Sequence, residues 1–113
     1  MGMSAPSRSY ASKDAAILGC VKSLVSETLG ERRANVYLFG SWASGTQRAA
    51  SDIDVAVEPF EPLPPGLLAR LREALEESTV PYRVEVVDLT ETDAGFRHRV
   101  RSEGILWIGC KSA

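Results

Sequence analysis

The chain has 113 residues, 44% of them apolar and 25% charged, with a formal net charge of −2. That length supports one domain burying roughly 65% of its unfolded surface, and so small a charge excludes bulk attraction to nucleic acid or to membrane surfaces. No apolar run approaches the ~20 residues of a membrane span, and the opening MGMSAPSRSYASK lacks the apolar centre of a signal peptide, so a cytoplasmic protein is expected.

In chain order, residues 1–12 are small and polar and are expected to be a flexible terminus. One domain over 13–113 follows. Ile17, Leu18, Val21, Leu24, Val25 and Leu29 recur at helical spacing, which predicts a helix from Lys13 to Leu29 with one buried stripe, stopped by Gly30. NVYLF (35–39) is β-branched and aromatic on both faces and predicts a strand inside a sheet. GSWASGTQRAAS reads as a loop with a helical turn after Gly40, and DIDVAVE (52–58) as the second strand. PFEPLPP interrupts the pattern. Leu67, Leu68, Leu71, Ala74 and Leu75 mark a second helix, with Pro64 and Pro65 suited to its first turn. YRVEVVDL is a third strand. Thr90-x-x-Asp93 resembles a capping box before a third helix that carries Phe96 and Val100 and stops at Gly104, and ILWI is a last short strand.

The order α-β-β-α-β-α-β places the chain in the α/β (α+β) class, as a small mixed sheet with flanking helices on one face. Between the first two strands lie about a dozen residues, too few for a packed crossover helix, so those strands are expected to be antiparallel neighbours. The return brings Gly40 and Ser41 to the same sheet edge as Asp52.

Side chains two apart on a strand share a face, roughly 6.6 Å apart along the axis. Asp52 and Asp54 therefore point the same way, with Ile53 and Val55 opposite. Two facing carboxylates without a counter-charge raise one pKa and cost stability; a Mg²⁺ ion between them reverses the sign, completing its shell with water and substrate phosphate. In RVEVVDL, Glu85 is the candidate third acid, because Asp88, three residues on, points to the opposite face. Glu58 shares the face of Asp54 but is read as a solvated strand end beside Pro59. Gly40 allows close backbone approach to a phosphate, and Ser41 adds a hydroxyl and an N–H at a helical first turn. A phosphate cradle beside paired carboxylates is the layout of metal-assisted phosphoryl or nucleotidyl transfer.

Gly40-Ser41, ten residues, then Asp52-x-Asp54, within FGSWASG…SDIDVAV, resembles the signature of the polymerase-beta-like nucleotidyltransferase superfamily, and most of all the minimal nucleotidyltransferase (MNT) group. The likeness runs from about Val36 to Trp107. It implies a metal-dependent enzyme that binds a nucleoside triphosphate, ATP in the first instance, and moves its nucleoside monophosphate to a hydroxyl with release of pyrophosphate. Carried over residue by residue, it makes Asp52, Asp54 and Glu85 the catalytic and metal-binding acids, with two Mg²⁺ ions during catalysis. Gly40 and Ser41 become the nucleotide-binding residues; apart from the resemblance, Ser51 beside Asp52 is expected to add a hydroxyl contact. The third acid of this group is usually Asp; Glu85 is one methylene longer and reaches differently. MNT proteins are commonly the antitoxins of toxin–antitoxin modules, paired with a small helical HEPN protein that some of them silence by adding AMP to a tyrosine.

A HEPN-type partner is therefore expected, and no nucleic acid. With no added acceptor-binding domain, the acceptor would be presented by another protein or by a second copy of this chain. Two alternatives stay open: a binding module that silences its partner by contact alone, and an enzyme for a small-molecule hydroxyl, as in antibiotic adenylylation. Several other residues are read two ways. Arg48 is a phosphate contact or a solvated loop cation. Trp42 covers the nucleotide or packs on the turn. Arg97, His98, Arg99 and Arg101 form a solvated helix face or a contact for an acidic partner or RNA. Cys20 and Cys110, without a Cys or His neighbour at metal-ligand spacing, are expected as reduced, packed thiols.

Overall fold

The computed structural model describes residues 12–45 and 52–109. Ser51, Arg48 and Cys110, and the terminus over 1–11, lie outside the described residues. Helix α1 (Ser12–Leu29) leads into strand β1 (Ala34–Phe39) and a single turn, α2 (Ser41–Ser44). Strand β2 (Ile53–Pro59), helix α3 (Leu67–Glu76) and strand β3 (Val84–Asp88) follow. A 3₁₀ turn (Leu89–Glu91), helix α4 (Ala94–Glu103) and strand β4 (Ile105–Ile108) close the described chain.

The four strands lie in the order β3-β2-β1-β4. β1 runs antiparallel to β2, pairing Phe39 with Asp54, as the short connection requires. β3 returns after α3 and runs parallel to β2, with Asp54 opposite Glu85. β4 is antiparallel to β1, and the register slips between Val36 and Tyr37, so Leu106 and Ile108 pair while Trp107 is the extra residue. That bulge lets both Trp107 and Ile108 pack toward the main core, while Leu106 stays exposed on the other side.

Strand alternation sends Val36, Leu38, Ile53, Val55 and Val57 to one face, where they meet Leu18, Val21, Val25 and Leu29 of α1 and Leu67, Leu71 and Leu75 of α3. The helical spacing in both segments places these residues on one stripe each. The opposite residues, Tyr37 and Ala56, form a second, smaller core with Leu89 and Val100, flanked by Phe39 and Phe96. The helices thus cover both faces, not one as expected. The physical reason is visible in β1 itself: a strand apolar on both sides must be covered on both.

Two helix starts also differ from the expectation. Gly66, at φ 80, ψ 0, caps α3, so Pro64 and Pro65 precede the helix instead of forming its first turn. Thr90 does not cap α4. The carboxylate of Asp88 accepts from the Thr90 N–H at 2.9 Å and its hydroxyl at 2.6 Å, holding the 3₁₀ turn. Asp93 is itself the cap of α4, accepting from the Phe96 N–H at 2.7 Å. Among the described residues no helix is long and apolar enough to cross a membrane.

Candidate active site

Three acids gather on the face of the sheet that α4 only partly covers. Asp54 follows from alternation: Ile53 and Val55 are fully buried on the α1–α3 side, so Asp54 points the other way and is half-buried. Asp52, just before β2, is exposed, and Glu85 lies across from Asp54 on β3. The carboxyl of Asp54 is held above the usual carboxylate range, first by burial and then by the negative charges of Asp52 and Glu85. Asp54 thus carries the electrostatic penalty of having two carboxylates nearby.

The backbone of Gly40 meets this cluster. Because Phe39 pairs with Asp54, the next residue lies against the Asp54 carboxylate. Gly40 has φ 79, ψ −154, a region essentially closed to residues with a side chain. A Cβ placed there would stand 2.3 Å from Asp54 Oδ2. The carbonyl of Gly40 accepts from the N–H groups of Ala43 and Ser44 at 3.0 and 3.1 Å, closing α2, and Ser41 opens that turn. Gly40, Ser41, Asp52, Asp54 and Glu85 are thus brought to one edge.

Among the described residues, no three His, Cys, Asp or Glu side chains converge closely enough to hold a metal ion. Glu85 is half-exposed, and its Oε1 lies 3.6 Å from Nε of Arg83. The donor chemistry nevertheless fits a hard divalent cation. The side chains are all carboxylates, and the charge on Asp54 is raised in energy where a cation would offset it.

Several residues have roles their position in the sequence did not disclose. Glu58 is not solvated; it is 6% exposed and accepts from the Tyr37 hydroxyl at 3.1 Å and from Arg101 Nε at 2.8 Å. Its contact with the other nitrogen of the Arg101 fork makes the pair a two-pronged clasp of α4 onto the sheet. Burial, ahead of the Glu58 charge, pushes the Tyr37 phenol up. The available signal was parity: Tyr37 and Glu58 share the face of Asp54. Arg97 likewise donates to the carbonyls of Leu89 and Thr92. Of the basic cluster, His98 and Arg99 face solvent. Trp42 is core: 1% exposed, edge-on to Tyr82 at 5.2 Å. Cys20 is a free, half-buried thiol, as expected.

A small mixed sheet with a Gly-Ser turn facing paired strand carboxylates is the framework of a nucleotidyltransferase. The family described as "Polymerase beta, Nucleotidyltransferase" matches residues 27–112, and the chain belongs to it. The chain is 34% identical over 84 residues to the "Probable protein adenylyltransferase MntA" of Haemophilus influenzae, covering 74% of this chain and 72% of that protein. A chain from the crystal structure of a toxin–antitoxin with AMP-PNP superposes with a TM-score of 0.63 at 28% identity, covering 80% of this chain and 74% of that one. A structure assigned to the minimal nucleotidyltransferases superposes with a TM-score of 0.67, also at 28% identity, over 80% of this chain and 92% of its own.

Proposed function

We propose that this protein moves AMP from ATP to a hydroxyl, a tyrosine of a HEPN-type toxin, and serves as the antitoxin of that pair in the cytoplasm. One observation carries the reading: half-buried Asp54, destabilised by Asp52 and Glu85, packs directly against the bare backbone of Gly40, which joins the carboxylates to the Gly-Ser turn. The likeness to a protein adenylyltransferase and to a toxin–antitoxin chain solved with AMP-PNP supports the choice of nucleotide and of partner.

Asp52, Asp54 and Glu85 would hold Mg²⁺, which when bound supplies charge neutralisation for the triphosphate and the entering oxygen. Gly40 and Ser41 orient the outer phosphates, with a hydroxyl contact from Ser51. The hydroxyl oxygen forms a bond to the α-phosphorus as the bond to the bridging oxygen of pyrophosphate breaks. Glu85, half-exposed and opposite Asp54 on β3, either completes the Mg²⁺ ligand set or takes the proton of the entering hydroxyl, which otherwise passes to water.

A second reading has its own support. Arg83 Nε lies 3.6 Å from Glu85 Oε1 and offsets charge that a metal would otherwise neutralise, which favours an antitoxin acting by contact alone. The intact mass of the purified partner, after incubation with this protein, ATP and Mg²⁺, separates the two. Transfer predicts a gain of one or more AMP groups, absent with chelator and with Asp52→Asn. A partner that is silenced without any gain in mass establishes the contact reading instead.

A further inference from the structure

Helix α4 rests on the sheet with little apolar burial. Of its ten residues only Val100 is buried, with Phe96 half-buried one turn before it. Its tie to the strands is polar. Glu58, 6% exposed, takes two bonds from the guanidinium of Arg101, the one from Nε at 2.8 Å. Its other oxygen accepts from the Tyr37 hydroxyl at 3.1 Å, and that hydroxyl accepts from Asn35 Nδ2 at 3.3 Å. The network joins β1, β2 and α4, whereas Arg97 bonds to Leu89 and Thr92, in the segment that leads into the helix.

We infer that Glu58 and Arg101 are positioning residues for the acid site: their fork sets the rotation of α4 on the sheet, and α4 holds the end of β1 so that Gly40 packs on Asp54. The inference rests on the reading that this site transfers a nucleotide. Glu58 lies four residues from Asp54 on the same face of β2, roughly 13 Å along the strand. It is neutralised by Arg101, so the pair acts on the site through packing and not through charge.

The packing path is short. Phe96 meets Phe39 edge to face, 5.7 Å between centroids at 88°. Just past the helix, Gly104 lies so near β1 that a Cβ there would stand 3.1 Å from the Leu38 carbonyl oxygen. Helix α4 and its exit thus press on Leu38 and Phe39, the two residues before Gly40. Stability alone does not account for the ion pair, because apolar residues of similar volume in place of a buried pair are often neutral or stabilising. Orientation does. Two parallel bonds between planar groups admit one geometry, and a single buried valine leaves the helix free to roll.

The double variant Glu58→Leu with Arg101→Met tests this, because it removes both charges and leaves neither buried alone. Its melting temperature should match or exceed that of the unaltered protein. The kcat for transfer from α-labelled ATP to the partner protein should still fall by roughly 10- to 100-fold, the scale of a misplacement of about 1 Å. The KM for ATP should change little. In amide NMR spectra, the Gly40 and Ser41 signals should shift while those of α1 stay in place. Arg101→Lys keeps the charge and loses the fork, so it should fold and give an intermediate kcat; a folded Lys variant with undiminished kcat overturns the inference by itself. So does a double variant with undiminished kcat or with unmoved Gly40 and Ser41 signals, and both results leave the nucleotidyl-transfer reading intact. Loss of transfer only in step with loss of folded protein makes the clasp structural and also overturns the inference. An unaltered protein that transfers nothing to the partner refutes the nucleotidyl-transfer reading and the inference with it.

Discussion

Asp54→Asn should abolish nucleotidyl transfer and, at the same time, make the metal-free protein more stable. Both effects come from one arrangement. Asp54 is half-buried beside Asp52 and Glu85, and its carboxyl is held above the ordinary value of 3.8. The folded state therefore binds the Asp54 proton more tightly than the unfolded chain does. Stability contributed by this group is complete below the ordinary carboxylate pKa. It falls as pH rises from there through the raised folded pKa, and the deficit persists above.

Asparagine keeps the shape and does not titrate, so it escapes that loss. Thermal melts of the two proteins should coincide at acid pH and separate as pH rises, in favour of Asn. The gain at neutral pH should stay below about 1 kcal/mol, because a partly exposed charge is screened. Added Mg²⁺ should raise the melting temperature of the unaltered protein by mass action and leave that of the Asn variant nearly unchanged. The rate should fall by roughly 10³-fold or more, the scale of several kcal/mol of lost charge stabilisation. An Asn variant less stable than the parent at neutral pH would show that Asp54 is a structural residue.

Gly40→Ala should be nearly as damaging to activity with every carboxylate still present. The added methyl has two obstacles. The backbone at φ 79, ψ −154 lies where only glycine is comfortable, at a cost of about 1–3 kcal/mol. The new Cβ would also stand 2.3 Å from Asp54 Oδ2 and 3.2 Å from its Cγ, so the carboxylate must swing away. Transfer should drop because the acid is displaced, and the melting temperature should fall. Gly66→Ala is the internal comparison. Gly66 has φ 80 and nothing within 4 Å of the place a methyl would take, so it bears backbone strain of about 1–2 kcal/mol without touching the site. Similar loss of stability in both variants, with loss of activity only at Gly40, ties the effect to Asp54. Equal activity in both would mean that Gly40 is needed for the turn and not for the carboxylate.

The placement of the candidate residues was legible in the sequence wherever local geometry decides. Parity alone put Asp52 and Asp54 on one face, and parity chose Glu85 over Asp88, whose carboxylate in fact holds the 3₁₀ turn. The short connection fixed the antiparallel return that brings Gly40 to Asp54. What escaped depends on partners distant in the chain. Glu58 has its hydroxyl donor 21 residues away and its guanidinium 43 residues away, so parity could give its face but no neighbour in sequence distinguished a clasp from a solvated strand end. The cap of α4 was misplaced because Asp88, Thr90 and Asp93 all carry side chains able to cap, and the 3₁₀ turn held by Asp88 stands between Thr90 and the helix start at Asp93. The second helical face was in fact written in β1, where the large rings of Tyr37 and Phe39 alternate with Val36 and Leu38 and need cover of their own.

The central claim is that the acids beside Gly40 pass a nucleoside monophosphate, and not a terminal phosphate, to a hydroxyl of the partner protein. Parallel reactions with ATP labelled on the α-phosphorus or on the γ-phosphorus test it most directly. The α label should become bound to the partner and the γ label should leave as pyrophosphate, with both events lost in Asp52→Asn and Asp54→Asn. Transfer of the γ label to the partner, or transfer of the α label undiminished by those substitutions, would contradict it.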